Sequence, residues 1–190
     1  NGKEKGMDKF VTKLGQAPVV FDPNLVEDSR ENIATHLKYV GYYGSEVQAS
    51  VEVRKQQTIV DYNVTLGKQY PICRIFYEVD DPALAEEIYR DSVNSLIKIG
   101  TPLSEDLLDR ESERSAAYLR DCGYYEFTKN YYFFAADTVS VPGSALLKVE
   151  VRNYTRNETP DDARSHRRFY FGNVQIYPVS DNIRYRASVS

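Results

Sequence analysis

The chain repeats itself, and no other property of the sequence restricts its folding as strongly. Leu37-Lys38-Tyr39-Val40-Gly41-Tyr42-Tyr43 returns as Leu119-Arg120-Asp121-Cys122-Gly123-Tyr124-Tyr125, an offset of 82 residues. When residues 21–43 are set against 103–125, Leu25, Glu31, Ala34, Leu37, Gly41, Tyr42 and Tyr43 each meet an identical residue. That is seven of 23 positions, where ordinary composition gives roughly one or two. A second echo sets Tyr70-x-Ile72-x-x-Ile75-x-Tyr77 beside Phe169-x-Phe171-x-x-Val174-x-Ile176. Such a chain is a series of modules, each about 80 to 100 residues long by these offsets.

The best-covered module reads in order. Cys73, Ile75, Tyr77 and Val79 alternate with Arg74, Phe76 and Glu78, the period of a strand with one buried face. Asp81-Pro82 supplies a helix cap followed by a proline at the first helical position, and the spacing predicts a helix over 82–91. Ser104 caps a second helix over 105–122. Its first turn carries Glu105 and Asp106, and its apolar stripe is Leu107, Leu108, Tyr118, Leu119 and Cys122. Gly123 stops this helix in a left-handed conformation. A long aromatic strand over 124–137, a turn at 141–144 and a strand over 145–153 complete the order β-α-α-β-β.

The same ruler divides the rest. Residues 7–14 fall on the close of a first helix, so 1–66 is expected to be a module lacking its first strand. It keeps a helix over 24–40 and a strand pair over 47–66. Residues 67–153 form the complete module, 154–167 a linker or long loop, and 168–190 the first strand of a further truncated module.

This tandem order resembles the POTRA domains of BamA- and TamA-like outer membrane protein assembly factors. The marks are the Gly-Tyr-Tyr closing the second helix and the Tyr-x-Ile-x-x-Ile-x-Tyr first strand. The stretches Lys13-Leu14-Gly15-Gln16-Ala17-Pro18-Val19-Val20-Phe21-Asp22 and Cys122-Gly123-Tyr124-Tyr125-Glu126-Phe127 look most like the versions of Bacteroidetes bacteria. The resemblance implies an α+β fold in which each module lays two helices on one face of a three-stranded mixed sheet. It also implies a place at the periplasmic face of the outer membrane, with a membrane barrel absent from this chain. The implied activity is binding, not catalysis: unfolded outer membrane proteins or accessory assembly subunits are held by strand addition at a sheet edge. A two-partner secretion transporter and a purely structural spacer are the alternatives.

Composition supports binding over chemistry. With 24 Lys and Arg against 28 Asp and Glu, the net charge is −4, and no basic run exists to neutralise a nucleic-acid backbone or an anionic bilayer. The sequence contains no HExxH, GxSxG, phosphate-binding glycine loop or CxxC. No enzyme activity, cofactor or metal is therefore expected. His36 falls inside a helix and reads as a packing residue, and His166 reads as a solvated loop residue. Asp80-Asp81 and Asp161-Asp162 lack the alternating oxygen ligands of a calcium loop. Cys73 and Cys122 both sit in apolar patterns that suit buried thiols, and a single bridge between them stays open.

Two groups of aromatics carry the site expectations. In the strand over 124–137, Phe127, Tyr131 and Phe133 share one parity and Tyr132 and Phe134 the other. Both faces are thus apolar, so one set must meet solvent, a neighbouring module or a client; these five are expected to mark the partner-binding edge strand, with packing inside the chain as the equal alternative. Gly41, Tyr42, Tyr43 and Gly123, Tyr124, Tyr125 read as structural, the glycine reversing the chain and one tyrosine of each pair plugging the helix–sheet seam.

Overall fold

The computed structural model describes residues 21–55, 57–155, 163–176, 179–180, 183–184 and 187–188. The expected helix end at 7–14 lies outside them, as do residues 156–162 of the expected loop with Asp161-Asp162. Two compact units are present. Among the described residues the first comprises 21–38 and 42–68, and the second 39–41 and everything from 69 onward.

Unit 1 contains helix α1 (Pro23–Tyr39) and an antiparallel ribbon of β1 (Glu46–Arg54) and β2 (Gln57–Thr65). The register sets Val47 against Val64, Ala49 against Tyr62 and Val51 against Val60, which makes one face of the ribbon apolar. Gln48, Asn63, Ser50 and Asp61 make the other face polar. The Tyr62 hydroxyl donates to the Val26 carbonyl of α1 at 3.4 Å.

Unit 2 has β3 (Ile72–Val79), α2 (Pro82–Asp91), α3 (Glu105–Asp121), β4 (Tyr132–Asp137) and β5 (Ala145–Val151). The sheet order is β3-β5-β4, with β3 parallel and β4 antiparallel to the central β5. Ala145, Leu147, Val149 and Val151 point at the helices and are buried with Leu84 and Ile88 of α2 and Leu107, Ala116 and Leu119 of α3. Two helices on one face of a three-stranded mixed sheet is the arrangement that the resemblance implied.

The helix starts follow their caps. The Asp81 carboxylate accepts the Ala83 and Leu84 amides at 2.9 and 3.4 Å, and Ser104 Oγ accepts the Leu107 amide at 3.1 Å. The helix ends repeat as the sequence does. Gly41 and Gly123 have φ of 96° and 98°. The amide of the following tyrosine returns to the carbonyl five residues back, Tyr42 to Leu37 at 2.8 Å and Tyr124 to Leu119 at 3.0 Å.

Three expectations are corrected. The aromatic strand starts at Tyr132, not at 124, because Phe127 turns inward and is buried to 1% exposure while 129–131 make a short 3-10 turn. Residues 163–169, read as linker and strand start, are laid onto unit 2. Here β7 (Ala163–Arg164) pairs with β6 (Tyr154–Thr155), and the His166 amide donates to Asp81 at 3.2 Å. Residues 168–174 form no strand; the strand of that region is the two-residue β8 (Gln175–Ile176), paired with Ala187–Ser188. Both cysteines are free thiols, and Cys73 donates to the Ala145 carbonyl at 3.3 Å.

Candidate partner-binding edge

β4 is an outer strand of the unit 2 sheet, and its ladder alternation follows from one bond. The Arg152 amide donates to the Tyr131 carbonyl at 3.0 Å, which makes that pair hydrogen-bonded. Along the register, Phe133, Ala135 and Asp137 then turn their amides and carbonyls toward β5. Tyr132, Phe134 and Ala136 turn theirs outward. An extended segment laid along this edge meets those backbone groups.

The helix-side flank of the edge is an open groove of about 440 Å³ between β4 and α3. Tyr132, Phe134 and Leu108 supply its apolar floor, and the Lys129–Asp109 ion pair at 2.8 Å joins the turn before β4 to α3 at its rim. The Tyr132 and Phe134 rings stack nearly parallel, 11° apart, with centroids separated by 6.1 Å. Tyr132 is fixed from below, its hydroxyl 2.6 Å from Ser115 Oγ of α3. Burial pushes its ionisation well above the ordinary tyrosine range, partly opposed by the Ser115 bond.

The opposite face of the sheet is screened by charge. Lys148 lies 2.5 Å from Glu78 and 3.8 Å from Glu150, and Glu150 accepts from Arg152 at 2.6 Å. The Arg152 guanidinium stands 3.7 Å from the Phe133 ring centroid, covering the one aromatic that β4 presents on this side.

The five aromatics expected at the edge therefore separate. Tyr132, Phe133 and Phe134 are on β4. Phe127 and Tyr131 precede it and are engaged by the chain itself. The His166 ring packs edge-on against both, with centroids at 4.9 and 4.5 Å, and its Nε2 is 3.0 Å from the Arg152 carbonyl oxygen. Tyr154 meets Tyr131 at 6.4 Å. His166 is thus a packing residue, not the solvated loop residue expected. Of the Gly-Tyr-Tyr residues, Tyr124 is buried and Tyr125 is 75% exposed, while Tyr42 and Tyr43 are half-buried.

Sequence reasoning missed Ala136, whose contribution is backbone alone and carries no side-chain signal. It also missed Lys129 and Asp109, which are joined only by the tertiary fold. Among the described residues no group of three His, Cys, Asp or Glu side chains could hold a metal ion, and no helix is long and apolar enough to cross a membrane.

No family model matches the chain, and no curated protein matches it significantly. Among solved structures it is similar to POTRA3-5 of BamA from Haemophilus influenzae, at 14% identity and a TM-score of 0.43, covering 71% of this chain and 57% of that one. It is also similar to BamA from Haemophilus ducreyi lacking POTRA domains 1-3, at 18% identity and a TM-score of 0.37, covering 77% of this chain and 27% of that one. The chain thus spans little more than half of the first and about a quarter of the second.

Proposed function

We propose that this chain is a periplasmic POTRA segment of an outer membrane protein assembly factor and that unit 2 receives extended client or accessory chains by strand addition along β4. The observation that carries the reading is the outward row of Tyr132, Phe134 and Ala136 backbone groups beside an aromatic-floored groove. Main-chain pairing is nearly blind to sequence and supports many clients, while the groove rewards apolar side chains at alternate positions. Residues 1–66 and 67–153 act as successive modules in this reading.

The test uses a proline where the ladder tolerates one. Ala136→Pro removes an outward amide and leaves the bonds to β5 in place, a substitution that edge strands accept. The probe is a synthetic peptide of about ten residues with alternating aromatic and polar side chains, the length of a barrel strand. Fluorescence anisotropy should show saturable binding to the parent protein and at least a fivefold loss in the variant, with the circular dichroism spectrum unchanged. Equal binding by both proteins would exclude β4 as the receptor, and no binding by either would favour a spacer.

A further inference from the structure

We infer that the Gly-Tyr-Tyr turn after each long helix is a clasp that holds the chain leaving its unit. In unit 1 the turn and the departing segment exchange two backbone bonds. The Tyr43 amide donates to the Lys68 carbonyl and the Lys68 amide to the Tyr43 carbonyl, both at 2.9 Å. Ser45 locks the contact from the side, accepting the Gly67 amide at 3.0 Å while donating to the Tyr42 carbonyl at 3.0 Å. The backbones approach so closely that a Cβ on Gly67 would fall 2.1 Å from the Tyr43 carbonyl oxygen.

Unit 2 makes the equivalent contact with different chemistry. The Phe169 amide donates to the Gly123 carbonyl at 2.7 Å, and the Tyr125 ring meets Phe169 edge-on at 6.5 Å. Arg168 reaches the buried carboxylate of Glu87 at 3.1 Å and lies 5.7 Å from the Tyr124 ring centroid. A Cβ on Gly123 would fall 2.6 Å from the Phe169 carbonyl oxygen. The small residue belongs to the departing chain in unit 1 and to the turn in unit 2.

The two contacts join the same turn to the same departing segment, two residues out of step at each end. Unit 1 bonds Tyr43 to Lys68, whereas unit 2 bonds Gly123, the counterpart of Gly41, to Phe169, the counterpart of Tyr70. A backbone contact that recurs between the same two segments while its register and side chains differ belongs to the architecture and not to one local sequence. Its effect is to anchor the departing segment on its own unit before the next element starts.

Amide exchange followed by NMR on the full chain tests the clasp. Rates at Gly67, Lys68 and Phe169 are read as ratios to α3 amides in the same sample, so that any global loss of stability cancels. The Lys68 and Phe169 amides should be protected in the parent protein. Ser45→Ala should raise the Gly67 and Lys68 ratios, and Arg168→Ala the Phe169 ratio, each by about five- to tenfold, as expected for one lost hydrogen bond or ion pair. Exchange of Lys68 and Phe169 at free-peptide rates in the parent, or ratios unchanged within about twofold in both variants, would overturn the inference.

Discussion

Ser115 Oγ and the Tyr132 hydroxyl lie 2.6 Å apart, both residues less than a tenth exposed, so the middle of α3 is bonded to the first residue of the edge strand. One polar contact thus sets the height of β4 against its helix. The floor of the groove is the ring that this contact positions.

Tyr132→Phe is expected to lower unfolding stability by about 1–3 kcal/mol, because it leaves a buried Ser115 hydroxyl without its partner. The double variant Ser115→Ala with Tyr132→Phe should cost less than the sum of the two singles. Urea unfolding of all four proteins measures the coupling.

Alkaline pH should loosen the unit through the same residue. Burial raises the folded-state pKa of Tyr132 above its unfolded value near 10, so the folded state retains the proton more strongly. Its stabilising effect is fully present below about pH 10 and is lost as the pH climbs through and past that value. Unfolding midpoints taken between about pH 8 and 11 should fall more steeply in the parent than in Tyr132→Phe.

Arg114 joins two helices through buried acids, reaching Asp91 of α2 at 2.7 Å and Glu111 of α3 at 2.8 Å. The hydrogen bond to Glu111, with that to Asp91, raises the Arg114 pKa above the ordinary arginine range. Arg114→Met strands both carboxylates. A loss of about 2–3 kcal/mol is expected, below the figure for a fully enclosed pair because the guanidinium keeps some access to water. Calorimetry at neutral pH should record the drop, and lowering the pH to protonate the acids should shrink it.

Phe127→Ala is expected to cost about 3–5 kcal/mol, the range for emptying a closed aromatic site. It should also release residues 163–169, whose His166 ring rests on Phe127. Limited proteolysis should cut the variant in that segment at concentrations that leave the parent intact.

What the sequence disclosed was what short-range chemistry decides. Asp81-Pro82 and Ser104 mark the helix starts because a cap acts within three residues. Gly41 and Gly123 mark the helix ends because a left-handed turn excludes most other residues, and the 82-residue echo reappears in matching bonds. The onset of β4 was not legible, since aromatic alternation from Tyr124 to Phe134 satisfies the period of a strand. Only the core shows that Phe127 is an inward plug. Residues 163–169 were illegible for another reason. Asp81, Glu87 and Gly123, which hold them, are far off in the chain, and a polar stretch looks the same whether water or a distant carboxylate satisfies it. Likewise the edge was legible as a strand, but the division of its aromatics between groove, charge cover and core was not.

The position of β5 in the sheet bears on how the protein is made. It is the central strand, yet it comes last of the three in the sequence. Until Ala145–Val151 arrives, β3 and β4 have no neighbour to pair with, and the β3–β5 pairing must close across the whole of α2, α3 and β4. A chain emerging from its N-terminal end therefore cannot bank a partial sheet. It carries Phe133 and Phe134 uncovered until the final strand inserts and completes both ladders in one step, so interruption of synthesis before residue 145 should yield an aggregation-prone fragment.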